Sequence, residues 1–291
     1  MKKILVPLDF SEASENAAYY ASVLACRIGA NVELLYISKS FESITVTPAV
    51  NLQQESLSPL QLLSQKIAAL CEMIAIKIRD SFEVLDFKPS IEGKVTKGDV
   101  IAEVSKHYEQ EKMSLIVMGI SRASRLKRAF FGSAINSAIT AGQLPVLLIP
   151  ETLKFRKFDK IAFATDLNPT DIPLICVSGN LARKFNAELL IMHSSQPKED
   201  EQGYQKRLGR FLSQVSGKVD YPRVYYRRAI SNSTSDGLEY LLTVAKPDLF
   251  IMAHRHHSFW ENVVAGSNTK RMLNCISIPL LVLPSAHKTP I

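Results

Sequence analysis

The sequence predicts an α/β protein with two tandem domains, each a doubly wound parallel sheet. The prediction rests on an internal repeat, on short apolar strands that alternate with amphipathic helices, and on size. The chain has 291 residues, of which 46% are hydrophobic. That length suits two ordinary domains, and that composition is enough to bury a core in each of them.

The repeat joins the two halves of the chain. Residues 2–37, KKILVPLDFSEASENAAYYASVLACRIGANVELLYI, align without a gap with residues 159–194, so that Asp9 matches Asp166 and Tyr36 matches His193. Residues 115–150 also align with residues 249–284. We therefore predict domains at 1–150 and 159–284, with an inserted surface loop at about 38–59 in the first.

Each half alternates strand-like and helix-like segments. ILVPL, VELLYI, LIVMGI and PVLLIP are short apolar runs, typical of strands covered on both faces. SEASENAAYYASVLACRIG is a helical pattern with Ser11 placed as N-cap and Gly29 as stop. Right-handed crossovers bring the carboxyl ends of parallel strands to one edge, where such sheets bind ligands. We expect the final strands, LPVLLIP and IPLLVLP, to lie side by side, because a bare apolar edge invites aggregation.

Charge and cysteine usage narrow the class of protein. The net charge of +7 is modest and does not favour nucleic acid as a partner. The cysteines have no metal-binding spacing and resemble buried thiols of a reducing compartment; they are Cys26, Cys71, Cys176 and Cys275. The N-terminus, MKKILVPLDF, is too short in its apolar part for a signal peptide, and no apolar run approaches the roughly 20 residues of a membrane span. We expect a soluble, cytoplasmic protein without a membrane partner.

A basic loop precedes a Gly-Ser helix start in the first half. Residues 118–137, MGISRASRLKRAFFGSAINS, read as a strand end, a loop with four cations, and a helix that opens at Gly132 and Ser133. A helix N-terminus presents unpaired N–H groups and a partial positive charge, which suits a phosphate. The plainer interpretation is a solvated loop. The cations are Arg122, Arg125, Lys127 and Arg128.

Together these features resemble the universal stress protein family, here as a tandem pair. The first strand ends in Asp9 followed by Phe-Ser-Glu, and the fourth leads into a Gly-x-x-Gly-x9-Gly-Ser/Thr-like loop before PVLLIP. The resemblance implies Rossmann-like domains, a role in the stress response, and terminal strands that pair in an internal pseudo-dimer, with a homodimer as a further expectation. Some members bind ATP, with the loop glycines close to ribose and phosphates and the Asp close to the nucleotide.

Carried over residue by residue, the resemblance implies a nucleotide site in the first domain. Its residues would be Pro7, Asp9, Ile37, Met118, Gly119, Arg122, Gly132, Ser133 and Ala134. Arg122 stands where the family has a glycine, and it either donates to the phosphates or occupies their space. The second domain keeps Asp166 and Gly266 but has Ala253 and His256 at glycine positions. We expect this second site to be degenerate.

Three functions remain open from the sequence. The first is a regulatory protein that binds an adenine nucleotide, with ATP as cofactor and Mg²⁺ as its companion ion. The second is a slow ATPase in which Asp9 helps to place Mg²⁺, ranked lower because no general base is evident. The third is an interaction or assembly module without nucleotide, which Arg122, Ala253 and His256 favour. We assign no catalytic residue, because no His is placed to activate Ser133. We also assign no metal site, because the adjacent histidines of the run 254–257 seldom converge on one ion.

Overall fold

The computed structural model describes residues 2–38, 58–81, 87–110, 113–121, 145–254 and 278–284. The chain divides into two units, Met1–Gly119 and Ile120–Ile291. The domain boundaries inferred from the repeat, 1–150 and 159–284, stay a prediction. The inserted loop at about 38–59 lies almost wholly outside the described residues.

The first unit alternates strands and helices as the sequence predicts. Its elements are β1 (Lys2–Leu8), α1 (Glu12–Ile28), β2 (Ala30–Ser38), α2 (Pro59–Ser81), β3 (Ile91–Lys97), α3 (Val100–Gln110) and β4 (Met113–Ile120). The strand order is β3-β2-β1-β4. β1 pairs in parallel with β2 and β4, and β2 pairs in parallel with β3. The predicted parallel α/β sheet is confirmed for this unit.

The second unit carries a larger sheet. Its elements are β5 (Val146–Pro150), β6 (Lys160–Ala164), a 3-10 turn (Pro169–Asp171), α4 (Ile172–Phe185), β7 (Glu188–Ser195), α5 (Glu201–Lys218), β8 (Val224–Ile230), α6 (Thr234–Ala245), β9 (Leu249–His254) and β10 (Leu280–Pro284). The strand order is β5-β10-β9-β6-β7-β8. β10 runs antiparallel to β5, with Leu280 opposite Leu148, while the other pairs are parallel. The final strands therefore lie side by side as predicted, and this sheet is mixed rather than wholly parallel.

The two halves share unusual backbone conformations at matched positions. Phe10 and Leu167 both have a positive φ, of 59° and 62°, which is uncommon for residues other than glycine. Gly29 and Asn186 both end their helices in the left-handed region, with φ of 73° and 52°. Ser11 caps α1 by accepting a hydrogen bond from a backbone N–H of the first turn. The predicted cap and stop of the first helix are thus confirmed.

One helix meets the length and composition of a membrane span. This helix is α2, and the expectation that no apolar run approaches that length is wrong by this criterion for the described residues. Five side chains at spacings of three and four nevertheless bury one face of α2, and Ile67 approaches the glycine of β3. They are Ile67, Leu70, Cys71, Ile74 and Ile78. Length and composition alone are weak evidence for a span, because a core helix passes the same test.

The described cysteines are free thiols. Cys26 and Cys71 are buried, as the sequence predicts, and Cys176 is partly exposed. Burial raises the pKa of all three thiols above its ordinary value. They are therefore in the unreactive thiol form at neutral pH. Cys275 lies outside the described residues.

Candidate functional site

The strand ends of the first unit bring together the described part of the predicted nucleotide site. Asp9 is exposed directly after β1, and Ile37 is half-buried near the end of β2. Gly119 is buried near the end of β4. Because the strands are parallel, these three positions share one edge of the sheet. Pro7 and Met118 are buried within β1 and β4; Pro7 lies two residues before Asp9, and Met118 lies one residue before Gly119.

The phosphate-binding half of the prediction falls on residues that the structure does not describe. Arg122, Gly132, Ser133 and Ala134 belong to the segment 122–144, and the matching segment of the second half is 255–277. Both segments lie outside the described residues. Their assignment stays a sequence prediction.

Hydrogen bonds from Ser11, at the start of α1, hold the Asp9 carboxylate in place. Its Oδ1 accepts hydrogen bonds from the Ser11 backbone N–H at 3.0 Å and from the Ser11 hydroxyl at 2.6 Å. Burial raises the pKa of Asp9, but the hydrogen bonds from Ser11 and Ser14 outweigh it and leave the pKa below its ordinary value of 3.8. The carboxylate is therefore ionised at neutral pH. An ionised carboxylate at a sheet edge can accept hydrogen bonds from ligand hydroxyls or bind a cation.

An aromatic pair with a lysine above it lies beside Asp9. The Phe10 ring centroid is 5.2 Å from that of Tyr36, and the two planes are tilted by 34°. Lys66, from α2, places Nζ 4.0 Å from the Phe10 centroid. Phe10 and Tyr36 are half-buried and Lys66 is exposed, so this group faces solvent. Neither Phe10 nor Lys66 is among the site residues predicted from the sequence: Phe10 stands next to Asp9 in the motif, but Lys66 belongs to no motif.

Gly119 has a packing role of its own. A Cβ at this position would lie 2.0 Å from the Ala13 carbonyl oxygen and 2.9 Å from the Ser14 nitrogen. Real Cβ atoms do not approach backbone so closely, so α1 can pack here only against a glycine. The glycine is therefore required by the fold, whether or not a ligand approaches the same backbone.

One position of the matching edge in the second unit is buried under that unit's own side chains. His193, which matches Tyr36, is only 6% exposed. Its Nδ1 lies 2.9 Å from the Thr165 carbonyl oxygen, which can only accept, so Nδ1 carries the hydrogen. Tyr204, from α5, stacks on the imidazole with centroids 5.9 Å apart. Burial lowers the pKa of His193 below its ordinary value of 6.5, and the ring is neutral at pH 7.

Arg228, from β8, completes this second edge. Its guanidinium carbon lies 3.6 Å from the Tyr204 ring centroid, and its Nε donates to the Ser195 hydroxyl at 2.7 Å. Its Nη1 donates to both carboxylate oxygens of Glu201 at 3.0 Å. The hydroxyls of Tyr204 and Tyr226 are 2.6 Å apart. We refer to His193, Ser195, Tyr204, Tyr226 and Arg228 as the Tyr204 cluster.

The cations at the two edges therefore differ in whether they pair with a carboxylate. Arg228 is neutralised by Glu201, whereas no carboxylate of the described residues pairs with Lys66. Asp166 is exposed and accepts a hydrogen bond from the Asn168 N–H at 3.2 Å, so it keeps the local geometry of its counterpart in the first half.

Across the described ranges, no group of three or more His, Cys, Asp or Glu residues could hold a metal ion.

Comparison with known proteins identifies the family. Residues 1–150 match the universal stress protein family, which is more than half of the chain. The chain therefore belongs to the universal stress protein family.

Three similar proteins agree with this assignment. Universal stress protein MJ0531 of Methanocaldococcus jannaschii is 28% identical over 153 residues, covering 53% of this chain and 84% of that protein. A universal stress protein of Archaeoglobus fulgidus has a TM-score of 0.66 at 18% identity, over 97% of this chain and 95% of that one. A candidate universal stress protein of Pseudomonas aeruginosa has a TM-score of 0.58 at 13% identity, over 97% and 93%. At these identities the two structures show the fold alone.

Proposed function

We propose that the chain is a cytoplasmic stress-response regulator that binds one adenine nucleotide, ATP, in its first domain and none in its second. The observation that carries the proposal is the contrast between the two edges. Asp9 and the Phe10–Tyr36 pair face solvent in the first unit, while His193, the counterpart of Tyr36 in the second, is buried and stacked by Tyr204. A ligand can contact the half-buried aromatic pair of the first edge, whereas the counterpart ring of the second is covered.

The residues suggest how the nucleotide is held. The ionised carboxylate of Asp9 accepts hydrogen bonds from ribose hydroxyls, and Ile37 borders the base. The backbone amides of Gly132 and Ser133 bind the phosphates at a helix start, with Mg²⁺ as the companion ion. Arg122 either joins them as a charge-assisted donor or fills the phosphate position, and Arg122→Gly separates these alternatives. Loss of ATP affinity in that variant identifies a ligand, and a gain identifies a plug.

Analysis of the purified chain tests the proposal. Mass spectrometry of small molecules released by denaturation should yield an adenine nucleotide, and calorimetric titration of emptied protein with Mg-ATP should give one site per chain. Release of phosphate from ATP by the same preparation would instead indicate a slow ATPase. No released nucleotide and no heat of ATP binding would leave the interaction module, which the buried His193 of the second unit favours as the second candidate.

A further inference from the structure

The outer face of α2 carries apolar side chains that stay exposed to solvent. Leu62, Met73 and Ile76 are 40%, 47% and 41% exposed, whereas Ile74 on the inner face is buried. Since a helix has about 3.6 residues per turn, these three exposed residues and Ala69 line up over about four turns. We refer to this row as the outer α2 stripe. Burial of the inner face therefore leaves a second apolar face on the same helix.

A shallow groove along the outer α2 stripe carries charges of both signs. Its lining includes Met73, Ile76, Glu72, Lys77 and Asp80. Asp80 lies on the stripe itself, seven residues after Met73, and is exposed. Helices that bind lipid surfaces surround their apolar face with lysine and arginine, and anionic headgroups would repel the two carboxylates. The groove therefore fits a protein surface of similar mixed character better than it fits a membrane.

The order of the charges along α2 matches a second copy of the same helix. Glu72 and Arg79 are seven residues apart, so they lie on the same flank of the stripe. A two-fold axis that makes two such helices antiparallel sets this flank of one copy against the same flank of the other. Arg79 contacts its neighbour Asp80 at 3.6 Å, but an exposed ion pair of this kind contributes little and is readily exchanged. Each Glu72 can therefore meet the partner subunit's Arg79.

The same charges disfavour a parallel arrangement of the two helices. A parallel two-fold sets each residue of the stripe against its own copy, which opposes Asp80 to Asp80 within the contact. That repulsion outweighs the attraction of Glu72 for the partner subunit's Lys77, because the latter pair lies on the solvated flank. The antiparallel arrangement instead sets Met73 on the partner subunit's Ile76.

We propose that the outer α2 stripe binds the same stripe of a second copy of this chain in an antiparallel two-fold interface. Met73 and Ile76 of the two copies form its centre, and the pair of Glu72 with the partner subunit's Arg79 occurs twice by symmetry. The final strands β5 and β10 take no part, because they pair with each other within the chain. A contact through one helix is small for a stable interface, so we expect a dissociation constant on the order of micromolar.

Sedimentation velocity of the full chain over about 1–100 µM tests this. The mass should rise from that of one chain to that of two. Ile76→Glu should weaken association at least about tenfold, because it places a charge against Met73 at the centre. Val244→Glu is the matched control: Val244 is 64% exposed on α6, and its replacement should leave association unchanged. Both positions are exposed, so the urea midpoint should stay close to that of the unsubstituted chain.

Charge reversal tests the antiparallel register. Glu72→Arg opposes two cations at each flank contact and Arg79→Glu opposes two carboxylates, so each variant alone should associate more weakly than the unsubstituted chain. An equimolar mixture of the two variants should regain association as a heterodimer, because every flank contact then joins opposite charges.

Three results would overturn the inference: a monomer at the highest concentration, a dimer that Ile76→Glu leaves intact, or a mixture that associates no better than its two components. Binding of the chain to phosphatidylserine vesicles that Ile76→Glu abolishes would also overturn it and assign the stripe to a membrane surface. The proposed nucleotide site is tested separately, because none of these measurements uses ATP.

Discussion

The backbone of Ala13 leaves no room for a side chain at residue 119: a Cβ on Gly119 would lie 2.0 Å from the Ala13 carbonyl oxygen. Gly119 is the penultimate residue of β4, and Ala13 lies in the first turn of α1, two residues after the cap at Ser11. The contact therefore sets how closely α1 approaches the sheet at the edge that carries Asp9. Close packing of a helix start on a strand end is one of the roles of glycine in nucleotide-binding folds.

Gly119→Ala should destabilise the protein by about 3 kcal/mol or more, because the methyl group can be accommodated only by displacing α1. The urea midpoint of unfolding measures this. Gly209→Ala is the control, since Gly209 lies inside α5 with nothing within 4 Å of the added Cβ. It should stabilise by up to about 1 kcal/mol, because alanine is the better helix former. Equal stability of Gly119→Ala and the unsubstituted chain would contradict the packing role.

The hydroxyl pair of the Tyr204 cluster gives a second prediction. Tyr204→Phe or Tyr226→Phe alone should cost about 1–2 kcal/mol of unfolding free energy, because each leaves the other hydroxyl without its 2.6 Å partner. The double variant should cost less than the sum, which a double-mutant cycle measures. Tyr240→Phe removes an exposed hydroxyl of α6 and should change stability by less than about 0.5 kcal/mol. Strict additivity of the pair would show that the hydroxyls are uncoupled.

His193 gives a prediction about pH. Burial lowers its pKa below 6.5, so the unfolded chain binds the proton more readily than the folded one. The contribution to stability is fully present above the ordinary pKa and is lost as pH falls below it. The unfolding free energy should therefore decrease between about pH 7 and pH 5, and His193→Gln should reduce that slope. The same slope in both proteins would assign the pH dependence to other groups.

Local signals predicted the repeated framework correctly. The cap at Ser11 and the stop at Gly29 are set by residues within one turn of the helix ends, so they can be predicted from the sequence. The aligned halves also predicted the neighbouring final strands, which pair with Leu280 opposite Leu148. The antiparallel direction of that pair could not be predicted from the sequence, because a buried apolar run has the same pattern in either direction.

Long-range contacts account for what the sequence analysis missed. Tyr204 and Arg228 come from a helix and a strand that follow different connections, and only the folded sheet brings them to His193. Lys66 likewise reaches Phe10 from a helix with no shared motif. The positive φ of Phe10 had no local signal either, because a phenylalanine is an unusual choice for that conformation. These features depend on tertiary packing rather than on periodicity.

The proposed function requires that the first domain bind one nucleotide and the second none. Calorimetric titration with Mg-ATP of the unsubstituted chain, of Gly132→Val and of Gly266→Val tests it most directly, because the two glycines occupy matched positions in the repeat. A β-branched side chain blocks close approach of the backbone to phosphate. We expect one site per chain, with binding abolished in Gly132→Val and unchanged in Gly266→Val. Two sites per chain, or loss of binding in Gly266→Val with retention in Gly132→Val, would contradict it.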